Sequence, residues 1–178
     1  MNGRVEIRLY REWPGRILDI GGGGEGVIGR LYQEQVTAID NRPEELAEAP
    51  EGFEKVVMDA ADLDFDDGSF HHVTVFFTLM YMEAEEQRRA IAEAARVLKA
   101  GGELHIWDCD IPSAWPEPFC VDVEVALPGE HISTTYGVGK QGTQDRRAIR
   151  AMCLDAGLTL VAERGEGEAF YLCFRKEG

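Results

Sequence analysis

Between Asp19 and Gly26 the chain reads DIGGGGEG. Glycines placed directly after a short apolar run let the backbone turn sharply and approach a ligand closely. The spacing satisfies G-x-G-x-x-G, the pattern of loops that cradle dinucleotide phosphates. Asp40 lies 19 residues beyond Gly21, where such sites place an acid on the ribose hydroxyls. Asp19 argues for different chemistry. A carboxylate just below the glycines opposes a pyrophosphate but suits a ligand that carries an ammonium group. A further acid, Asp59 in MDAADLDF, can reach an adenine amino group, while the small Ala60 leaves room beside the ring. Each residue also has a plainer use. Gly21 and Gly23 serve a tight turn, Asp40 caps the following helix, and Asp59 holds a loop. A lone glycine motif does not decide between these.

The elements that would position these residues follow from the hydrophobic patterning. GRILDI (15–20) is an apolar strand running into the glycines, and GVIGRLYQE (26–34) has helical spacing. QVTAID (35–40) is a strand ending on Asp40, and PEELAEA (43–49) opens a helix with proline and acids. FEKVVMD (53–59) and FHHVTVFF (70–77) are strands around an acidic loop. EAEEQRRAIAEAARVLKA (83–100) is a helix with acids first and bases later, and Gly101-Gly102 should end it. ELHIWDCDI (103–111) is the fifth strand. Alternating strands and helices predict an α/β fold with a mostly parallel sheet and helices on both faces. The alternation then pauses. CVDVEVAL (120–127) and HISTTYGVG (131–139) read as a hairpin turning at Pro128-Gly129. TQDRRAIRAMCLDAG (143–157) is a helix with Thr143 as its expected cap. LTLVAER (158–164) and AFYLCFRK (169–176), joined by a short turn, should pair antiparallel.

With these elements in order, the chain resembles the class I S-adenosylmethionine-dependent methyltransferases of the small-molecule type, from about Arg16 to Arg175. ILDIGGGGEG resembles the first motif of that family, VTAID the second, MDAADLDFDDGSFHHV the stretch flanking adenine, and RVLKAGGELHI the helix–turn–strand that follows. The resemblance implies a Rossmann-like fold with a seven-stranded sheet, an antiparallel last strand and, here, an extra hairpin after the fifth strand. It implies S-adenosylmethionine as cofactor, held by Asp19, Gly21, Gly22 and Gly23 at its methionine part. Asp40 and Asn41 would lie at the ribose, and Asp59, Ala60 and Phe77 around the adenine side. The chain departs from the family at three places. Glu25 stands where relatives often have glycine, His71 where they often have an acid, and Asp64 where proline is common.

The acceptor side is less legible. Methyl transfer from a sulfonium needs positioning first, and a base only where the acceptor must lose a proton. The strand ends offer Tyr81, Asp108, Asp110 and Trp115 as acceptor-side candidates, and no residue is assigned to catalysis. Val121, Val123, Val125 and Leu127 form one apolar hairpin face that must be buried, against a helix of this chain or against a second subunit. The hairpin is therefore an expected lid or dimer surface.

The 178 residues suggest a single domain over residues 1–178. A formal charge of −15 with no concentrated basic patch argues against nucleic acid as substrate. No apolar run reaches membrane-span length, no signal-type stretch opens the chain, and a cytoplasmic monomer or homodimer is expected. Cys109, Cys120, Cys153 and Cys173 lack C-x-x-C spacing, so reduced thiols and no metal are expected. His71 and His72, at the far end of their strand, read as structural or surface residues. Two other readings stay open: a cofactor-binding module without turnover, and an NAD-binding reductase.

Overall fold

The computed structural model describes residues 3–112, 117–139 and 142–178. Ten strands and four α-helices follow one another: β1 (Gly3–Arg8), β2 (Ile17–Ile20), α1 (Val27–Tyr32), β3 (Val36–Asp40), α2 (Pro43–Glu48), β4 (Glu54–Val57), β5 (Phe70–Phe76), α3 (Ala84–Val97), β6 (Leu98–Cys109), β7 (Phe119–Leu127), β8 (Glu130–Val138), α4 (Arg146–Asp155), β9 (Leu158–Glu166) and β10 (Ala169–Lys176).

Seven strands form one sheet in the order β4-β3-β2-β5-β6-β10-β9. The β2–β6 pairings are parallel, and β10 runs antiparallel to both β6 and β9. Every residue of β2 is buried, which is why this strand is apolar apart from Asp19. Alternation along β2 sends Leu18 and Ile20 into one core and Ile17 into the other. The first core takes Ala90, Ile91 and Ala94 of α3 and Ile149, Met152 and Cys153 of α4. The second takes Val27, Ile28 and Leu31 of α1 and Leu46 of α2. Helices thus cover both faces, as expected. No helix among the described residues is long and apolar enough to cross a membrane.

β1, β7 and β8 form a second, three-stranded sheet. β7 and β8 make the expected hairpin, and β1 adds parallel to β7 from Gly3↔Val121 to Arg8↔Ala126. Val121, Val123, Val125 and Leu127 are buried in the same core as α1. The covering of this face therefore comes from the chain's own elements.

Two helix boundaries differ from expectation. α3 ends at Val97, because Leu98 is already extended and pairs with Phe70. Its last carbonyls are taken by Lys176, whose Nζ donates to Ala95 O at 2.8 Å, Arg96 O at 3.2 Å and Leu98 O at 2.8 Å. Gly101 and Gly102 lie within β6, not at the helix end. α4 begins at Arg146 and is capped by Asp145, which accepts from Arg147 N at 2.6 Å. Thr143 is not the cap: Gln144 is held extended by a two-way backbone bridge to Ile111, so the chain cannot turn until Asp145.

Candidate functional site

The carboxyl ends of β2, β3 and β5, with the start of α1, surround a cavity of about 560 Å³. The glycine loop forms its floor. Gly21 N and Gly22 N both donate to Ile39 O, at 2.8 and 3.0 Å, and tie the loop to the end of β3. Gly21, Gly24 and Gly26 adopt left-handed φ values of 74°, 61° and 57°, which side chains rarely accept. Gly22 and Gly23 are required for space. A Cβ at Gly22 would lie 2.6 Å from Asp19 Oδ2 and 2.7 Å from Ala38 Cβ, and one at Gly23 2.6 Å from Glu45 Cβ. The loop is a cradle with bare backbone turned toward the cavity.

Asp19 lines this cavity at 3 % exposure. Thr74 Oγ1 donates to its Oδ1 at 2.7 Å. Desolvation nonetheless raises its pKa from 3.8 to about 7; the Thr74 bond opposes the rise and the charge of Asp40 adds to it. A cation beside Asp19 would reverse that balance. Asp40 ends β3 on the cavity wall and accepts from Arg42 N at 3.0 Å through Oδ1. Among the described residues, five carboxylates line the cavity, those of Asp19, Glu25, Asp40, Glu45 and Glu86, against one guanidinium, that of Arg42. That guanidinium is engaged by Glu44 at 3.2 Å and Glu45 at 2.8 Å.

The opposite wall is made by β8. Thr135, Tyr136 and Gly137 reach the cavity, and Glu25 connects them to the glycine loop. The Thr134 hydroxyl donates to Glu25 Oε1, and the Tyr136 hydroxyl to Oε2 at 3.4 Å. Arg30 holds the same loop by donating to Glu25 O at 2.6 Å and pairs with Glu130 of the hairpin. Burial and the adjacent Glu25 carboxylate push the Tyr136 phenol well above its ordinary value. Its ring lies on that of Phe77, centroids 5.0 Å apart and planes within 1°. Phe77 has φ 48°, an uncommon conformation for a bulky residue and one that clusters at binding sites. Tyr81 is 53 % exposed at the rim; partial burial raises its phenol, and a backbone hydrogen bond at Gly137 opposes the rise.

Of the residues expected at the cofactor, Asp19, Gly21, Gly22, Gly23, Asp40, Asn41, Ala60 and Phe77 lie on the cavity wall. Asp59 does not. It is exposed, and its Oδ1 accepts from Ala61 N at 2.8 Å, holding the turn that places Ala60 in the wall. Among the acceptor-side candidates Tyr81 is on the wall, whereas Asp108 and Asp110 are not. Asp108 is completely buried and accepts from Gln144 Nε2 at 2.7 Å, Cys109 N at 2.8 Å and Met80 N at 3.2 Å. Asp110 accepts from Arg146 N at 2.7 Å and from its Nε at 2.6 Å. Both acids join α4 to the sheet, so their place at the strand end misleads. Trp115 lies outside the described residues. Wall residues that the sequence reading did not assign include Glu25, Arg42, Glu45, Met58, Glu86, Thr135, Tyr136 and Thr78, whose side chain fills the space beside Gly21. Glu25 had a signal, its departure from the glycine pattern. The hairpin residues had none beyond their position after the fifth strand.

Residues 18–106 match the family described as "Methyltransferase domain". The chain is 31 % identical over 124 residues to the chloroplastic 2-methyl-6-phytyl-1,4-hydroquinone methyltransferase 2 of Oryza sativa subsp. japonica, covering 65 % of this chain and 35 % of that protein. It is 37 % identical over 103 residues to the phosphatidylethanolamine N-methyltransferase of Cereibacter sphaeroides, covering 52 % and 49 %. The chain thus spans between a third and a half of the length of these curated relatives. A solved SAM-dependent methyltransferase from Methanosarcina mazei superposes with TM-score 0.65 at 21 % identity, covering 91 % of this chain and 92 % of that one. A SAM-bound amino pentose methyltransferase from Micromonospora echinaspora gives TM-score 0.62 at 19 % identity, covering 91 % and 84 %. These superpositions establish the likeness of fold.

Proposed function

This chain belongs to the methyltransferase-domain family, and from that premise we propose that it binds S-adenosylmethionine on the glycine loop and transfers the methyl group to a small-molecule acceptor. The sign of the cavity wall carries the reading. Among the described residues, five carboxylates and one already paired guanidinium favour a ligand with ammonium and sulfonium charges and disfavour the pyrophosphate of a dinucleotide.

In this reading Asp19 and the backbone of Gly21 to Gly23 hold the methionine part. Asp40 accepts from the ribose hydroxyls, with Asn41 beside it. Met58 and Ala60 bound the adenine, and Asp59 maintains the turn that presents Ala60. When bound, the cofactor supplies a methyl group on a positively charged sulfur, which is already an activated leaving group. The chain's own contribution is positioning and exclusion of water. Phe77 and Tyr136 form a flat aromatic wall, Tyr81 stands at the rim, and Glu25 fixes the Tyr136 hydroxyl. An aromatic wall with acidic neighbours suits an acceptor with an apolar or aromatic body and no negative charge at the reacting end. The two curated relatives carry names for a hydroquinone and a phospholipid amine acceptor, both compatible with such a wall.

Calorimetric titration with S-adenosylmethionine, S-adenosylhomocysteine and NAD tests the cofactor assignment. Binding of the first two without NAD is expected, and binding of NAD alone overturns it. Asp40→Ala should weaken S-adenosylhomocysteine by about 10- to 150-fold, the loss of one charged hydrogen-bond acceptor worth roughly 1.5–3 kcal/mol.

A further inference from the structure

On the sheet face that also carries Asp19, but toward the other ends of the strands, β5 and β6 place three ligand-type side chains together. His72 is opposite Glu103 in the parallel register, and His105 follows two residues later on the same face of β6. His72 Nδ1 lies 3.2 Å from His105 Nε2, which lies 3.6 Å from Glu103 Oε2, and all three atoms fall within 4.8 Å of one another. From this juxtaposition we propose that His72, His105 and Glu103 bind a zinc ion, with a fourth position open to a second cavity.

The distances choose the metal. Tetrahedral zinc with bonds of about 2.0–2.1 Å has edges of about 3.3–3.4 Å between ligand atoms. An octahedral ion of the same bond length has edges of about 2.9 Å. Two of the observed edges, 3.2 and 3.6 Å, straddle the tetrahedral value, and the third lies within 4.8 Å. Two imidazoles and one carboxylate are also a donor set that suits zinc while leaving one position open.

The surroundings do what outer residues of metal sites do: they orient the ligands through atoms that the metal does not use. Tyr171 OH lies 2.9 Å from His105 Nδ1, leaving Nε2 directed at His72. Arg175 takes Glu103 Oε1 at 2.7 Å, leaving Oε2 directed at His105. Trp13 closes the site from above, stacked 4.0 Å from the His105 ring and 5.1 Å from that of His72. Glu103, His105, Tyr171 and Cys173 line the second cavity, of about 680 Å³. Among described residues it shares only Ile28 and Phe77 with the wall of the first. Without metal, one ring donates its N–H to the other; zinc binding requires that proton to move to the far nitrogen of the same ring, so that both facing nitrogens offer lone pairs.

The test uses the full chain, stripped with chelator and titrated with Zn²⁺ and, separately, Co²⁺. One ion per chain is expected, with visible bands of four-coordinate cobalt and quenching of tryptophan fluorescence that saturates at the same ratio. His72→Asn and Glu103→Gln should each weaken zinc by at least about 10-fold. Both positions are partly exposed, and folding of each variant is checked by circular dichroism. S-adenosylhomocysteine binding is measured on the same samples, so loss of zinc binding is distinguished from failure of the cofactor assignment. The proposal is overturned if no saturable zinc binding occurs. It is equally overturned by several weak ions per chain that both variants retain and high salt removes, which is the behaviour of an acidic surface.

Discussion

Asp19→Asn separates the cost of a buried carboxylate from its use. Burial lifts Asp19 from 3.8 to about 7. At about 1.4 kcal/mol per pKa unit, ionising it in the ligand-free fold costs on the order of 4 kcal/mol. The folded-state pKa is raised, so between about pH 4 and pH 7 the native chain keeps a proton that the unfolded chain has released. Wild-type stability from this group therefore falls by roughly 1.4 kcal/mol per pH unit across that window and levels off above it. The substituted amide carries no charge and still offers an oxygen to the Thr74 hydroxyl, which lies 2.7 Å from the present Oδ1. The stability of Asp19→Asn relative to wild type should rise steadily from about pH 5 to pH 7 and reach a plateau by about pH 8. Urea denaturation of both proteins at several pH values measures this. Ligand binding should show the reverse order. A cation beside Asp19 drives its proton off, so wild-type affinity for S-adenosylhomocysteine should improve by up to about tenfold per unit as pH rises to 7. Asp19→Asn should lack that dependence and bind more weakly at about pH 8. A stability difference that stays constant with pH would refute the buried-acid argument. Equal affinity of the two proteins at about pH 8 would remove the cation from Asp19.

Three further outcomes follow from the same geometry. Gly23→Ala drives a Cβ to 2.6 Å from Glu45 Cβ and 2.8 Å from the Glu45 carbonyl carbon, so α2 must shift; a loss of about 1–3 kcal/mol and weaker S-adenosylhomocysteine binding are expected by denaturation and calorimetry. Glu25→Ala removes the acceptor of the Thr134 and Tyr136 hydroxyls. Hydrogen exchange should speed up in β8 while β2 and β5 stay protected, and unchanged exchange in β8 would show that Glu25 does not hold the hairpin. Asp108→Ala leaves the Gln144, Cys109 and Met80 donors without this buried acceptor. It should lower stability by about 3 kcal/mol or more with little change in cofactor affinity; lost turnover at unchanged stability would instead place Asp108 in the chemistry.

Local signals account for the part of the fold and site that can be read from the chain alone. Apolar strands alternating with amphipathic helices specify a parallel sheet with both faces covered, since neither kind of element can bury its apolar surface alone. Glycines after β2 and acids at the ends of β2 and β3 mark the cavity, because strand ends on one edge of a parallel sheet converge there. Asp19 is legible for a further reason: a carboxylate in a strand whose every residue is buried needs a partner.

Tertiary structure decided the rest, because those outcomes depend on groups distant in the chain. Lys176 ends α3 by taking its last carbonyls, a contact spanning about eighty residues, whereas the local Gly101-Gly102 pair suggested a later stop. Gln144 is held extended by Ile111, which moves the cap from Thr143 to Asp145. Asp108 and Asp110 sit at a strand end, as acceptor-side residues would, yet they are engaged by Gln144, just before α4, and by Arg146 at its start. Glu25 read as an irregularity in a glycine loop until Thr134 and Tyr136, more than a hundred residues later, supplied its partners. A strand pattern states which face is buried; only the folded chain states what lies against it.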